Sequence, residues 1–507
     1  MSMQHFPPSL AGFAAALAIA AASRGAVVNP KVTSNRTADT YSVESIVQEI
    51  VKDRKTAQEK AIALFDFQRR VVYHVNADMY GDHRDFMKSY NVYGHNLCGS
   101  QATTAVELAR RMRCFEEARV VCVPGHTIYE LKYDGKWHTF DTMMNFYVFA
   151  DKEKTHIANL DEMKENPDLL LKAVEEGRAC PGFLHCGDDP KMFTQGRESI
   201  ADYQFKPTED LMKYTMLRGE SWTRHYLPQF DAPDWCRPLK GGVGPYHGCG
   251  GRDDKDPVGF PYWEPYLIPK YGKVSRSYRH WATGFWEYAP DLSNDTAIKD
   301  ARAKDVAVSG GALRAAGANK PGEFLYNLAH CPWLLVNGKL TAKVTKGAAG
   351  DVVKISAGPN PGSLKEVWSA KDAGESTVDV DLFADALPKK AWNCAVKIEI
   401  QAADPSTTGV ADLRVKLGFL HNYPATPMLL PGENTIKVEC DPAGLKDAKL
   451  VLTYSWFEVD KDEGQPTYKA EAKKRVQEVT ASPTGFAITT PATRKFPKME
   501  FIRLDCR

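Results

Sequence analysis

From about residue 323 onward the apolar residues fall on every second position. Val378, Val380 and Leu382 alternate with Asp379 and Asp381. Val396, Ile398 and Ile400 alternate with Lys397 and Glu399, and the pattern returns at Leu413, Val415 and Leu417 and at Ile436, Val438 and Cys440. A period of two gathers the apolar side chains of a strand on one face, so these segments must pair into sheets with one wet and one buried side. Asn337-Gly338 is a hairpin signal. Strands at short spacing between Gly and Pro turns predict an all-β sandwich over 323–507. No nucleophile–base pair is visible in it; a scaffold role and a carbohydrate-binding role are both open.

Small residues fill 301–322, including Ser309-Gly310-Gly311 and Lys320-Pro321-Gly322, which marks a linker. Before it, residues 151–300 show little periodicity beyond about 160–176. They are rich in Pro, Gly and aromatics, with Trp222, Trp235, Tyr246, Trp263, Trp281 and Trp286 among them. Long segments of this kind wrap a scaffold and are pinned by buried rings. A ring-lined groove for sugars or an extended peptide is the functional alternative. Arg252-Asp253-Asp254-Lys255-Asp256 reads as a solvated turn rather than a calcium loop, since its charges are mixed.

A chain of 507 residues exceeds a single core. Its 65 basic and 64 acidic residues leave no electrostatic footprint for nucleic acid. Residues 10–20 form a short apolar run followed by small residues, which reads as a signal peptide over 1–26 and implies a secreted or periplasmic protein. No later run is long enough to span a membrane. Eleven cysteines is an odd count for an exported chain. Cys180 with Cys186 and Cys236 with Cys249 are local candidates for bridges, while Cys122, Cys394 and Cys440 fall in expected strands and suit buried thiols. No Cys/His zinc spacing occurs, so neither a metal nor a cofactor is expected.

Chemistry concentrates in residues 27–150. Asp134-Gly135 is a two-residue turn joining strands at 126–133 and 136–142. If Tyr133 pairs with Lys136, Ile128 falls opposite Asp141, and His126, Ile128 and Asp141 share a face. His126 and Asp141 are then diagonal neighbours, near enough for a carboxylate to orient an imidazole, while His138 falls on the other face. Cys98 stands where a helical pattern of Ala102, Ala105, Val106, Ala109 and Met112 begins, with Asn96 as the expected N-cap. A thiol in the first turn of a helix is activated toward thiolate by the positive end of the dipole. Taken singly, Cys98 suits a disulfide half or a buried residue, His126 a packed polar residue and Asp141 a turn cap. Together they supply nucleophile, base and orienter.

The order and spacing Cys98…His126…Asp141 resembles the transglutaminase-like superfamily. So does the capping box Thr56-Ala57-Gln58-Glu59, which opens an amphipathic helix expected over 61–75. The resemblance runs over roughly residues 42–147. It implies an α+β class: a papain-like catalytic core at 27–150, an irregular extension at 151–300 packed on it, a linker and the sandwich. It implies cysteine-dependent acyl transfer on a peptide or protein amide, as peptidase, amidase or transglutaminase. A secreted carbohydrate-binding or carbohydrate-processing protein acting on glycan or cell-wall material, and a non-catalytic interaction protein, are the alternatives.

Overall fold

Among the described residues, strand accounts for 43% and helix for 19%. That proportion overturns the expected α+β class with a papain-like catalytic core at 27–150: the described chain is mainly β. The computed structural model describes residues 26–74, 84–143, 146–180, 191–204, 206–226, 229–230, 281–462, 467–493 and 496–507. The expected signal segment, the aromatic residues between 235 and 278, the Arg252–Asp256 turn, and Cys186, Cys236 and Cys249 lie outside them.

The largest sheet has ten strands and curls into a half-barrel. Its central strand, Gly409–Asn422, pairs with Leu334–Lys346 on one edge and with Ala312–Ala315 and Trp281–Tyr288 on the other. Trp281–Tyr288 pairs in turn with Glu220–His225, that strand with Lys498–Cys506, and the last with Leu450–Phe457. Two of these strands belong to the stretch expected to be irregular. Their aromatic residues are strand formers because they suit a half-buried pleated surface: Trp222, Trp286 and Tyr288 are all buried in the core. Gly284 is needed where the strands crowd. A Cβ there would meet the Phe419 ring at 2.3 Å and the Thr223 carbonyl oxygen at 2.4 Å.

The stretch expected to be a linker carries strands Arg302–Lys304, Val306–Ser309 and Ala312–Ala315. Arg302–Lys304 leads into a five-stranded antiparallel sheet with Gly322–Leu328, Cys394–Gln401, Val352–Gly358 and Lys365–Ser369. Both sheets feed one apolar core that includes Phe324, Ile355, Ile398, Leu417 and Phe419. The alternating segments are strands as their period demands, but the C-terminal part does not close on itself. Asn337-Gly338 is not a turn either. It lies inside the 13-residue strand Leu334–Lys346, beside a register shift between Leu335 and Asn337, where a bulge takes up the flexible pair.

The N-terminal layer holds helices Val43–Val51, Ala57–Val71 and Cys98–Met112 and the sheet Lys136–Phe140, His126–Tyr133, Glu117–Val123, Ser199–Ala201. The capping box forms: Thr56 Oγ1 accepts from Glu59 N at 3.1 Å, and Glu59 Oε2 accepts from Thr56 N at 3.0 Å. The helix therefore starts at Ala57 and stops at Val71, four residues earlier at each end than its apolar period suggests. Beyond it, Tyr73–His74 leaves as a short strand parallel to His95–Asn96. Asn422 locks this layer to the large sheet, donating from Nδ2 to the carbonyls of Val71 at 2.8 Å and Tyr90 at 2.6 Å.

Candidate active site

The hairpin forms in the register set by its turn. Asp134 and Gly135 both have positive φ, 51° and 72°, the requirement of a tight two-residue connection. Tyr133 pairs with Lys136 and the ladder runs back to Tyr129 opposite Phe140. The next residue, Asp141, leaves the ladder and bridges to Phe146 through two backbone hydrogen bonds of 2.9 Å. Its side chain turns to His126, the first residue of its strand, with Nε2 to Oδ2 at 2.7 Å. The other carboxylate oxygen, Oδ1, accepts from Met143 N at 2.9 Å, so the carboxylate is held at both ends.

Cys98 is the first residue of its helix and is half-buried. The helix packs on the strands Glu117–Val123 and His126–Tyr133, which brings the thiol to His126 within hydrogen-bonding reach. With Nε2 given to Asp141, Nδ1 is the ring nitrogen left for sulfur. All three predicted site residues therefore meet in one chain, Cys98 to His126 to Asp141. The capping detail differs from expectation. Leu97 occupies the cap position, and Asn96 instead accepts from Leu97 N through Oδ1 at 2.9 Å and donates to Ser89 Oγ at 3.2 Å.

The electrostatics follow from burial and charge. Burial by itself would pull the His126 imidazole down, because the cationic form loses its water. The Asp141 carboxylate, through charge and hydrogen bond, and then Cys98 act the other way and win, so the imidazole is pushed up to about 10. At neutral pH it is an imidazolium beside the Cys98 sulfur. Phe193 lies edge-on to the His126 ring at 6.5 Å and stacks on Phe146 at 4.6 Å, which walls the pair from solvent on that side.

His138 is on the opposite face, as its parity requires. It stacks on Tyr133 at 3.6 Å and donates from Nδ1 to the Ile157 carbonyl at 2.7 Å; it takes no part in the cluster.

Two supporting residues have no signature in the sequence. Thr142 Oγ1 donates to Gln101 Oε1 at 2.8 Å, and Gln101 Nε2 donates back to the Asn96 carbonyl at 3.3 Å. Gln68 Nε2 donates to the Gln101 carbonyl at 3.0 Å. Gln101 thus connects the first turn behind the thiol to the turn that carries Asp141. Polar residues at 101 and 142 look like surface positions until the fold brings them together.

Cys114, Cys122, Cys331, Cys394, Cys440 and Cys506 are free thiols, and Cys331, Cys394 and Cys506 are buried. Each expected local bridge has at least one member outside the described residues. Among the described residues, no group of three or more His, Cys, Asp or Glu side chains converges as a metal site. No described helix is long and apolar enough to cross a membrane.

No family model matches the chain, and no curated protein matches it. Solved structures give faint likenesses. The N-terminal CBM22-1-CBM22-2 tandem domain from Paenibacillus barcinonensis Xyn10C is 8% identical; the match covers 41% of this chain and 83% of that one, with a TM-score of 0.16. The FMN-binding beta-glucuronidase from Facaelibacterium prausnitzii L2-6 is 13% identical; the match covers 36% of this chain and 28% of that one, with a TM-score of 0.12. Both are carbohydrate proteins by name, and at these TM-scores neither carries an argument about this chain.

Proposed function

We propose that the chain is a cysteine-dependent acyl-transfer enzyme acting on amide bonds, with chemistry of the transglutaminase-like kind. The observation that supports this is the buried relay in which Asp141 holds His126 at 2.7 Å while His126 meets Cys98. In this reading the Cys98 thiolate attacks the amide carbonyl carbon. The tetrahedral intermediate collapses as the His126 imidazolium gives its proton to the departing nitrogen, leaving a thioester on Cys98 and a neutral imidazole. Water or an amine then gives a proton to His126 and attacks the thioester, which releases the acid or the new amide and restores the thiolate–imidazolium pair. Asp141 stabilises the imidazolium and fixes which ring nitrogen faces sulfur. The water route is a peptidase or amidase, the amine route a transglutaminase.

The test is intact-protein mass spectrometry after mixing the chain with a pool of peptides rich in side-chain and backbone amides, together with an assay for released ammonia and amine. A mass increment on Cys98, absent in Cys98→Ala, is the expected result. If ammonia or amine release is the same in wild type and Cys98→Ala, the proposal fails. A glycan-binding or glycan-processing role is the alternative, and a glycan array probed with both proteins tests it: binding that survives Cys98→Ala, with no amide turnover in either, would replace the first reading.

A further inference from the structure

The inner face of the curled sheet holds a cation with no carboxylate partner among the described residues. Arg224 is 1% exposed. Its Nε reaches His421 Nδ1 and its Nη2 reaches the Asn422 carbonyl, both at 3.4 Å, the long limit of a hydrogen bond. No carboxylate among the described residues pairs with it. Its electrostatic neighbours are instead four tyrosines, Tyr41, Tyr226, Tyr214 and Tyr454, and the Trp333 ring lies 5.0 Å from the guanidinium carbon. A guanidinium does not deprotonate, and a buried charge left alone costs several kcal/mol.

The surrounding hydroxyls have protons to spend. Tyr41 Oη accepts from Val32 N at 3.2 Å and Tyr214 Oη accepts from Trp222 Nε1 at 3.0 Å, which leaves each phenolic proton to donate elsewhere. The Tyr454 hydroxyl and the Trp333 indole nitrogen are buried with no partner. Only Tyr226 is spent, donating to the Pro427 carbonyl. None of these phenols supplies a negative charge, because burial pushes each of them up. On the strand beside Arg224 the paired residue is Gly284, over which the Phe419 ring packs. Arg224, Tyr454 and Ile502 lie in one row across the sheet, with Ile502 between the other two.

A buried cation with several O–H and N–H donors around it, against one unpartnered acceptor, Asn422 Oδ1, is the chemistry of an anion site. The geometry points to a small monovalent anion, of the chloride class, bound inside the half-barrel against the Arg224 guanidinium and the hydroxyls of Tyr454, Tyr41 and Tyr214. This site is separate from Cys98 and independent of the acyl-transfer reading. It would neutralise the guanidinium that the sheet buries on the strand Glu220–His225, between Trp281–Tyr288 and Lys498–Cys506.

The test uses the full chain. Thermal midpoints are measured in sodium chloride and in sodium gluconate at equal ionic strength, for wild type, Arg224→Met and Tyr454→Phe. Wild type should gain several degrees in chloride, along a saturating curve, and Arg224→Met should show no difference between the salts. Tyr454→Phe keeps the cation and loses one donor, so its half-saturating chloride concentration should rise about tenfold, the scale of one charge-assisted hydrogen bond. Crystals grown in bromide should show an anomalous peak beside the guanidinium, a readout that stands even where Arg224→Met does not fold. Equal midpoints in the two salts for wild type, or a bromide crystal with only water-like density at Arg224, would overturn the proposal.

Discussion

Thr142 donates to Gln101 across 2.8 Å, and this bond joins the turn after Asp141 to the first turn of the Cys98 helix. The relay needs its two halves held to within a fraction of an ångström, since a small misplacement of reacting groups costs rate steeply. Gln101→Ala and Thr142→Val should therefore each slow alkylation of Cys98 about tenfold. Gln101→Ala should also lower the thermal midpoint more, because it loses the bond to the Asn96 carbonyl as well as the one to Thr142. Thr142→Ser, which keeps the hydroxyl, should restore the alkylation rate. Rates equal to wild type in both Gln101→Ala and Thr142→Val would show that the bond is incidental.

The His126 imidazole should remain protonated through neutral pH. Its folded value lies above the ordinary 6.5, near 10. The protonated pair therefore stabilises the fold fully below about pH 6.5 and loses that contribution as the pH rises through about 10. Asp141→Asn removes the main influence raising it and leaves Cys98 alone against burial, so the imidazole should titrate well below its wild-type value. Nitrogen-edited NMR of the imidazole, as a function of pH, reads both. A wild-type titration centred near 6.5 would contradict the site as described.

The C-terminal part should not fold alone. Trp281–Tyr288 and Glu220–His225 fill the sheet between Gly409–Asn422 and Lys498–Cys506, so a fragment starting at Glu323 exposes two long strand edges and half an apolar face. It should be insoluble or lack cooperative unfolding by circular dichroism. A soluble fragment with a sharp thermal transition would mean that the C-terminal strands pair in another way without the missing two.

Local signals were legible and distant ones were not. The Asp134-Gly135 turn fixes the register of the strand pair from residues that touch, and that register runs to Phe140, after which the Asp141 side chain turns to His126. The Thr56–Glu59 box is local too. Glu220–His225 pairing with Lys498–Cys506 leaves no trace in either segment, because strand partners are chosen by sheet closure across the whole fold. Read as a linear string, the aromatic density of 281–288 suggested irregular wrapping; in three dimensions Trp286 and Tyr288 fill the inside of a curled sheet. Asn337-Gly338 misled for the same reason, since a bulge and a turn favour similar residues. Gln101 with Thr142, and Arg224 among its tyrosines, are assembled from polar residues whose burial no local pattern announces.

Differential alkylation of the cysteines tests the central claim most directly. Cys98, Cys114, Cys122 and Cys440 are all half-buried, so the last three are internal controls for access. Burial pushes the Cys114 and Cys440 thiols up, which makes them slow. Iodoacetamide labelling followed by peptide mapping, from pH 5 to 10, should modify Cys98 at least tenfold faster than the other three at pH 7, and His126→Ala should bring Cys98 down to their rate. A Cys98 that reacts no faster than Cys122, or that is unchanged by His126→Ala, would contradict the account.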